Sequence, residues 1–115
     1  MSMKHIKDIT FSDDESTVTV GAGNTFAEIY NAIEKRNYMI VGGRFGTVGT
    51  GLLLGAGFSY FNNRYGLGVD NVAGHRTVLA NGTVVLANAT HYPDLHWALK
   101  GGGNNFGMFP STSCS

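Results

Sequence analysis

Seven glycines fall within sixteen residues: Gly42, Gly43, Gly46, Gly49, Gly51, Gly55 and Gly57. A single glycine usually marks a tight turn. Seven together would let a backbone approach a ligand's phosphates or a flat ring, with amide N–H groups as the donors. Two nucleotide-binding signatures fail on inspection. Gly49-Thr50-Gly51-Leu52-Leu53-Leu54-Gly55 is one residue too long for G-x-G-x-x-G, and it does not follow a strand that opens a βαβ helix. No glycine precedes Lys-Ser or Lys-Thr, so there is no P-loop. A second glycine group follows later, Gly101-Gly102-Gly103-Asn104-Asn105-Phe106-Gly107.

The other residue types that could do chemistry are sparse. His5, His75, His91 and His96 have no zinc-ligand spacing with a Cys or carboxylate partner. His91 and His96 flank Asp94, but five residues apart around Pro93 is not one helical face, and structural or solvent-facing roles are expected. Gly57-Phe58-Ser59-Tyr60 lacks the closing glycine of a serine-nucleophile elbow. Cys114 has no second cysteine to bridge to. Phe58, Tyr60, Phe61, Tyr65 and Trp97 are expected in the core rather than in a stacking platform. No catalytic residue and no metal site is assigned.

The elements that position these residues can be read from periodicity. Ser16–Val20 is a β-branched run, preceded by a looser extended segment from His5 to Phe11, with Ser12-Asp13-Asp14-Glu15 as the turn. Asn24 is the expected N-cap of an amphipathic helix ending near Asn37. Phe26, Ile29, Tyr30 and Ile33 lie on its buried face, and Glu28, Asn31, Glu34 and Lys35 lie opposite. Tyr38–Val41 reads as a short strand. Val78–Ala80 and Thr83–Leu86 around Asn81-Gly82 predict a hairpin with a type I′ turn. Pro93-Asp94 opens a short helix that Gly101 ends. Pro-Ser-Thr-Ser-Cys-Ser at 110–115 reads as structureless.

Composition bounds the function. The chain has 115 residues, enough for one domain. Eight Lys and Arg balance eight Asp and Glu, which gives no electrostatic footprint for nucleic acid or for an anionic membrane surface. Charged residues make up 14%, roughly half the usual share, so much of the surface is expected to be covered by a ligand or by more protein. No stretch approaches a membrane-spanning length of about 18 apolar residues. The start, MSMKHIKDIT, carries no apolar leader segment, and the compartment stays open.

The stretch from Val41 to Phe61 resembles the flavin-binding lobe of FAD-linked oxidases, the berberine-bridge-enzyme-like members of the vanillyl-alcohol-oxidase family, fungal in flavour. The likeness continues through Tyr65–Val72, Val78–Gly82 and Pro93–Gly107, so that ordered motifs span about residues 3–107. The resemblance implies an α+β fold, a mostly antiparallel sheet flanked by short helices. This would be the second lobe of a PCMH-type FAD-binding domain over residues 1–109, followed by a disordered tail at 110–115. It implies FAD as cofactor and, in the complete enzyme, oxidation of a small organic substrate (alcohol, sugar or amine) by hydride transfer to the flavin, with oxygen as acceptor. Carried onto this chain, the cofactor contacts are Gly43, Thr47, Val48, Gly49, Thr50, Gly51, Gly55 and Gly57 along the flavin and pyrophosphate. Asn105, Phe106, Gly107 and Met108 lie near the ribose and adenine, while Asp70 and Asn71 fix a loop.

The chain also departs from the family pattern. Phe45 stands where many relatives carry a cysteine bonded to flavin, so the cofactor is expected to be non-covalent here. The segment has one glycine fewer after Gly51, and Ala56 interrupts a glycine triplet. Two readings follow: the FAD-binding part of an oxidoreductase, or a non-catalytic remnant that no longer binds FAD. With neighbouring protein absent, Leu52–Leu54 and Phe58–Phe61 are the expected exposed apolar segments.

Overall fold

In the computed structural model, which describes residues 2–115, the elements run in the order β1 (Ile9–Phe11), β2 (Val18–Gly21), α1 (Phe26–Glu34), a 3-10 turn (Thr50–Leu54), α2 (Asn62–Tyr65), a second 3-10 turn (Gly68–Asn71), β3 (Val72–Val78), β4 (Val84–Asn88), α3 (Pro93–Leu99) and β5 (Met108–Cys114). The five strands form one sheet in the order β1-β2-β5-β3-β4, antiparallel at every pairing. This is the α+β architecture expected from the sequence.

Period-two alternation gives the sheet two chemically different faces. Val18, Val20, Val72, His75, Thr77, Val85, Ala87, Thr112 and Cys114 are buried. Thr10, Arg76, Val84 and Leu86, on the opposite face, are exposed. The buried face is covered in two places. Phe26, Ile29 and Ile33 of α1 join Val18, Val20, Ile40, Leu53, Val72 and Cys114 in one cluster, and Leu54, Ala87 and Leu99 form a second beneath α3.

The first helix is capped by Thr25, not by Asn24. The Thr25 amide donates to Glu28 Oε2 at 2.8 Å, and the Glu28 amide donates to Thr25 Oγ1 at 3.5 Å. This reciprocal pair satisfies two otherwise unpaired donors, which one asparagine could not do. Asn24 instead closes the preceding turn, its side-chain amide donating to the Gly21 carbonyl at 3.0 Å. Glu28 also pairs with Lys7. The Lys7 and Thr25 hydrogen bonds hold its carboxyl down at about 2.

Four other expectations are corrected. Tyr38–Val41 pairs with no strand; Ile40 and Val41 are buried as a loop segment, with Ile40 in the first core cluster. The hairpin turn is not type I′, because Gly82 (φ +83) has a positive φ and Asn81 does not. Gly82 N–H donates to the Leu79 carbonyl and Leu79 N–H to the Thr83 carbonyl, both at 2.9 Å. That is a three-residue loop whose last member sits in the left-handed region. Leu53 and Leu54 are buried, one in each core cluster, because the tight 3-10 turn rolls both inward. The aromatic residues are exposed and not in the core, which for Phe58, Tyr60 and Phe61 agrees with the expected exposure of the Phe58–Phe61 segment. Trp97 is 80% and Tyr60 78% exposed, and Phe58, Phe61 and Tyr65 also face solvent. On α3, His96 and Leu99 take the buried positions, which turns Trp97 outward.

The largest correction concerns the end of the chain. Residues 110–115 are not a disordered tail; strand β5 runs through to Cys114 at the centre of the sheet, between β2 and β3. The polar composition hides a period of two, with Thr112 and Cys114 buried. Ladders on both sides satisfy the backbone, and Thr19 and Ser113 pair through their hydroxyls at 2.7 Å. Pro110 has no N–H to lose and sits where the register with β3 shifts, between Arg76 and Val78. The division at residue 109 therefore cuts through a strand.

Burial pushes the Cys114 thiol up to about 12. The expected outcome is that Cys114 resists alkylation by iodoacetamide in the native chain and reacts once denaturant is added. Fast labelling under native conditions would show that β5 is not seated between β2 and β3.

Candidate functional site

The turn Gly21-Ala22-Gly23 sets one wall of a cleft that gathers several of the expected cofactor residues. A Cβ on Gly21 would lie 2.4 Å from the Ile6 carbonyl oxygen, and one on Gly23 would lie 2.4 Å from that of Met3. The N-terminal segment can therefore lie directly on the turn only because neither residue has a side chain. Gly23 N–H donates to the Ile6 carbonyl and Ala22 N–H to the Pro110 carbonyl, both at 2.8 Å. Thr50 Oγ1 reaches the Ala22 carbonyl at 3.4 Å. Together these contacts enclose a cleft of about 380 Å³ lined by Met3, Ala22, Thr50, Gly51, Asn104, Gly107, Met108 and Phe109.

Four of the twelve residues expected to touch a cofactor line this cleft: Thr50, Gly51, Gly107 and Met108. Gly43 lines a separate apolar groove of about 200 Å³ with Tyr30, Arg44, Tyr60 and Phe61. Its carbonyl accepts the Tyr30 hydroxyl at 2.7 Å. Val48 packs on the first core cluster, and its carbonyl accepts the Phe26 amide at 2.9 Å. Gly49 bridges to Thr25, Gly55 closes the 3-10 turn, and Thr47 is exposed beside them. Gly57 is buried, with its carbonyl accepting the Gly68 amide at 2.7 Å. Asn105 folds back onto its own loop, its side-chain amide donating to the Gly102 carbonyl at 2.8 Å. Phe106 lies against Gly102. Asp70 and Asn71 fix their loop as expected: Asp70 accepts the Leu67 amide at 2.8 Å, and Asn71 donates to the Tyr65 and Leu67 carbonyls.

The space around each glycine separates those the fold needs from those it leaves free. A Cβ on Gly43 would meet the Phe26 ring at 2.6 Å, and one on Gly107 (φ +146) would meet Thr77 at 2.8 Å. Gly57 has φ +81 and Gly68 at 3.1 Å. These three are required by packing or backbone conformation. Gly51 differs, because nothing lies within 4 Å of its Cβ position and its φ is not positive. It is the glycine whose missing side chain leaves room in the cleft.

Sequence reasoning missed Met3, Ala22, Asn104 and Phe109. Asn104 adjoins a residue already singled out. Met3 arrives only through the packing on Gly21 and Gly23, which no local pattern announces. Among the described residues no charged side chain lines the cleft, so the groups it offers are backbone amides and carbonyls, the Asn104 amide, the Thr50 hydroxyl and the flat faces beside Met3, Met108 and Phe109. A ring system flanked by methionine and phenylalanine, with polar substituents meeting backbone, fits this donor set. Among the described residues there is no group of three or more His, Cys, Asp or Glu that could hold a metal. Among the described residues no helix is long and apolar enough to cross a membrane.

The family model described as FAD binding domain matches residues 1–88. Over 105 residues the chain is 50% identical to the FAD-dependent monooxygenase prx3 of Penicillium roqueforti, covering 90% of this chain and 20% of that protein. BBE-like 1 of Physcomitrella patens superposes with a TM-score of 0.90 at 32% identity, over 96% of this chain and 25% of that one. The xylooligosaccharide oxidase of Myceliophthora thermophila C1, solved with xylobiose, gives 0.91 at 31% identity, over 98% and 24%. The chain spans about a fifth of the length of the curated relatives it matches.

Proposed function

The chain belongs to the FAD binding domain family, and from that premise we propose that it forms one wall of the FAD site in an oxidoreductase acting on a small organic substrate, an alcohol, sugar or amine, with oxygen as electron acceptor. The observation that carries the reading is the cleft beside Gly51, open where a side chain would stand and lined by uncharged groups suited to a flat, many-atom ligand. When bound, FAD would supply the redox chemistry by accepting electrons from the substrate. The chain's own share is binding and orientation. Gly51 lets the backbone approach the cofactor closely, and Thr50 supports that approach through its bond to Ala22. Asn104, Gly107 and Met108 would hold the ribose and adenine. No described side chain lining the cleft is an acid or base, so the cleft offers groups for binding and none for proton transfer.

Flavin is held here without a covalent bond. Phe45, at the position where the resemblance expects a cysteine, is 69% exposed and carries no nucleophile. Protein purified in the presence of FAD should carry flavin absorbance that leaves with small molecules on denaturation, and mass spectrometry should then show the bare polypeptide. A flavin adduct on the denatured chain would refute non-covalent attachment. A colourless preparation that takes up no FAD would refute the function.

A further inference from the structure

Beneath α3 lies a group of polar side chains that the cleft does not use. His75 on β3 is 0% exposed, and His96 on α3 is 9% exposed. Their ring centroids are 6.3 Å apart, and Phe109, a cleft residue, stands edge-on to His75 at 6.1 Å. His75 Nδ1 and Thr112 Oγ1 are 3.0 Å apart. Among the described residues three buried side-chain atoms have no partner: His75 Nε2, Thr77 Oγ1 and His96 Nδ1. Buried polar atoms are nearly always paired, and three exceptions among neighbouring residues mark a place where the fold accepts a cost.

The surroundings decide what a proton would do there. Strand β4 presents Val85 and Ala87 on this face, β5 presents Thr112 and Phe109, and α3 presents His96 with Lys100 one turn on. Among the described residues the charged groups acting on the rings are His96 and Lys100, and no carboxylate offsets them. Burial first, then His96 and Lys100, hold the His75 ring down to about 4; burial and Lys100 lower His96 as well. The helix that His96 anchors runs straight into the cleft wall. Gly102 N–H donates to the Ala98 carbonyl and Gly103 N–H to the Leu54 carbonyl, both at 3.0 Å, and the loop then delivers Asn104 and Gly107 to the cleft.

We propose that His75 and His96 form an acid-sensitive latch, which docks α3 and the glycine loop 101–107 on the sheet while both rings are neutral and releases them when the rings take up protons. The docking stands on this cluster alone; its effect on a bound cofactor rests on the function proposed above. The direction follows from proton linkage. Both rings are lowered from the ordinary 6.5, His75 to about 4. As pH falls below 6.5, the released state binds protons that the docked state refuses, and it gains up to about tenfold per pH unit from His75 until His75 itself titrates. Above 6.5 the latch is indifferent to pH.

Amide hydrogen exchange of the 115-residue chain, corrected for intrinsic rates, tests this at about pH 7.5 and about pH 5. The expected result is a loss of protection of about tenfold or more across α3 and residues 101–107 at the lower pH, with β2 and α1 little changed. The double variant His75→Phe, His96→Leu should abolish the difference. Equal protection at the two pH values, a uniform loss over the whole chain, or an unchanged difference in the double variant would each overturn the latch. Should the double variant not fold, NMR titration of the wild-type imidazole C–H signals decides. Midpoints well below 6.5 support the latch, and midpoints near 6.5 for both rings overturn it.

Discussion

Replacing Gly51 by leucine should weaken FAD binding about a hundredfold, roughly 2.7 kcal/mol, and leave the melting curve where it is in the unmodified chain. The two halves of this expectation come from different facts. Gly51 lines the cleft, so four added carbons occupy space that the cofactor would use. The stability half follows because a Cβ there meets nothing within 4 Å, the backbone φ is not positive, and Gly51 lies in a 3-10 turn where leucine is no worse a resident than glycine. Most substitutions that kill binding in a small domain also damage the fold, and this one separates the two. A variant that melts normally and still binds FAD with unchanged affinity would show that the cleft is not the cofactor site.

Gly102→Ala should do the opposite and damage the fold. The added methyl would stand 2.1 Å from the Ala98 carbonyl oxygen and 2.5 Å from the Phe106 ring. The phenyl group could swing aside. The carbonyl is backbone at the C-terminal end of α3, and it already accepts the Gly102 amide at 3.0 Å. Relief therefore requires the loop to move off the helix, which costs that hydrogen bond and the seating of the glycine loop. Strain and lost capping together amount to about 3 kcal/mol, a drop of roughly 10 °C or more in the midpoint for a domain of this size. Gly103→Ala is the control. Gly103 has φ +68, but its Cβ position meets only the Asn105 side chain at 3.8 Å, so backbone strain of about 1 kcal/mol is the whole expected effect. Melting of the two variants side by side checks the argument; equal midpoints would refute it.

How much of this was legible in the sequence depended on whether a signal was local. The buried face of α1 was legible, because Phe26, Ile29 and Ile33 repeat at helical spacing and the same residues are buried. Its cap was misplaced by one residue, since two adjacent residues both had capping chemistry and the reciprocal bond to Glu28 chose Thr25. Strand β5 was illegible. Its residues look like a tail until β2 and β3, far away in sequence, present ladders on either side. Trp97 was misjudged for a related reason: size and apolarity argue for burial in general, but the inward positions of α3 were already taken by His96 and Leu99. The site was half legible. The family resemblance pointed to Thr50, Gly51, Gly107 and Met108, yet it could not separate Gly51, which leaves open space, from Gly43, Gly57 and Gly107, which packing or backbone conformation requires. That distinction exists only in three dimensions.

Titration of FAD into the purified 115-residue chain, followed by quenching of flavin fluorescence, decides whether this cleft holds the cofactor. The expected result is saturable quenching with one flavin per folded chain, reversed on denaturation and shifted to far higher FAD concentration in Gly51→Leu. A folded, monomeric chain that leaves flavin fluorescence unchanged at every FAD concentration would contradict the assignment of this cleft to FAD.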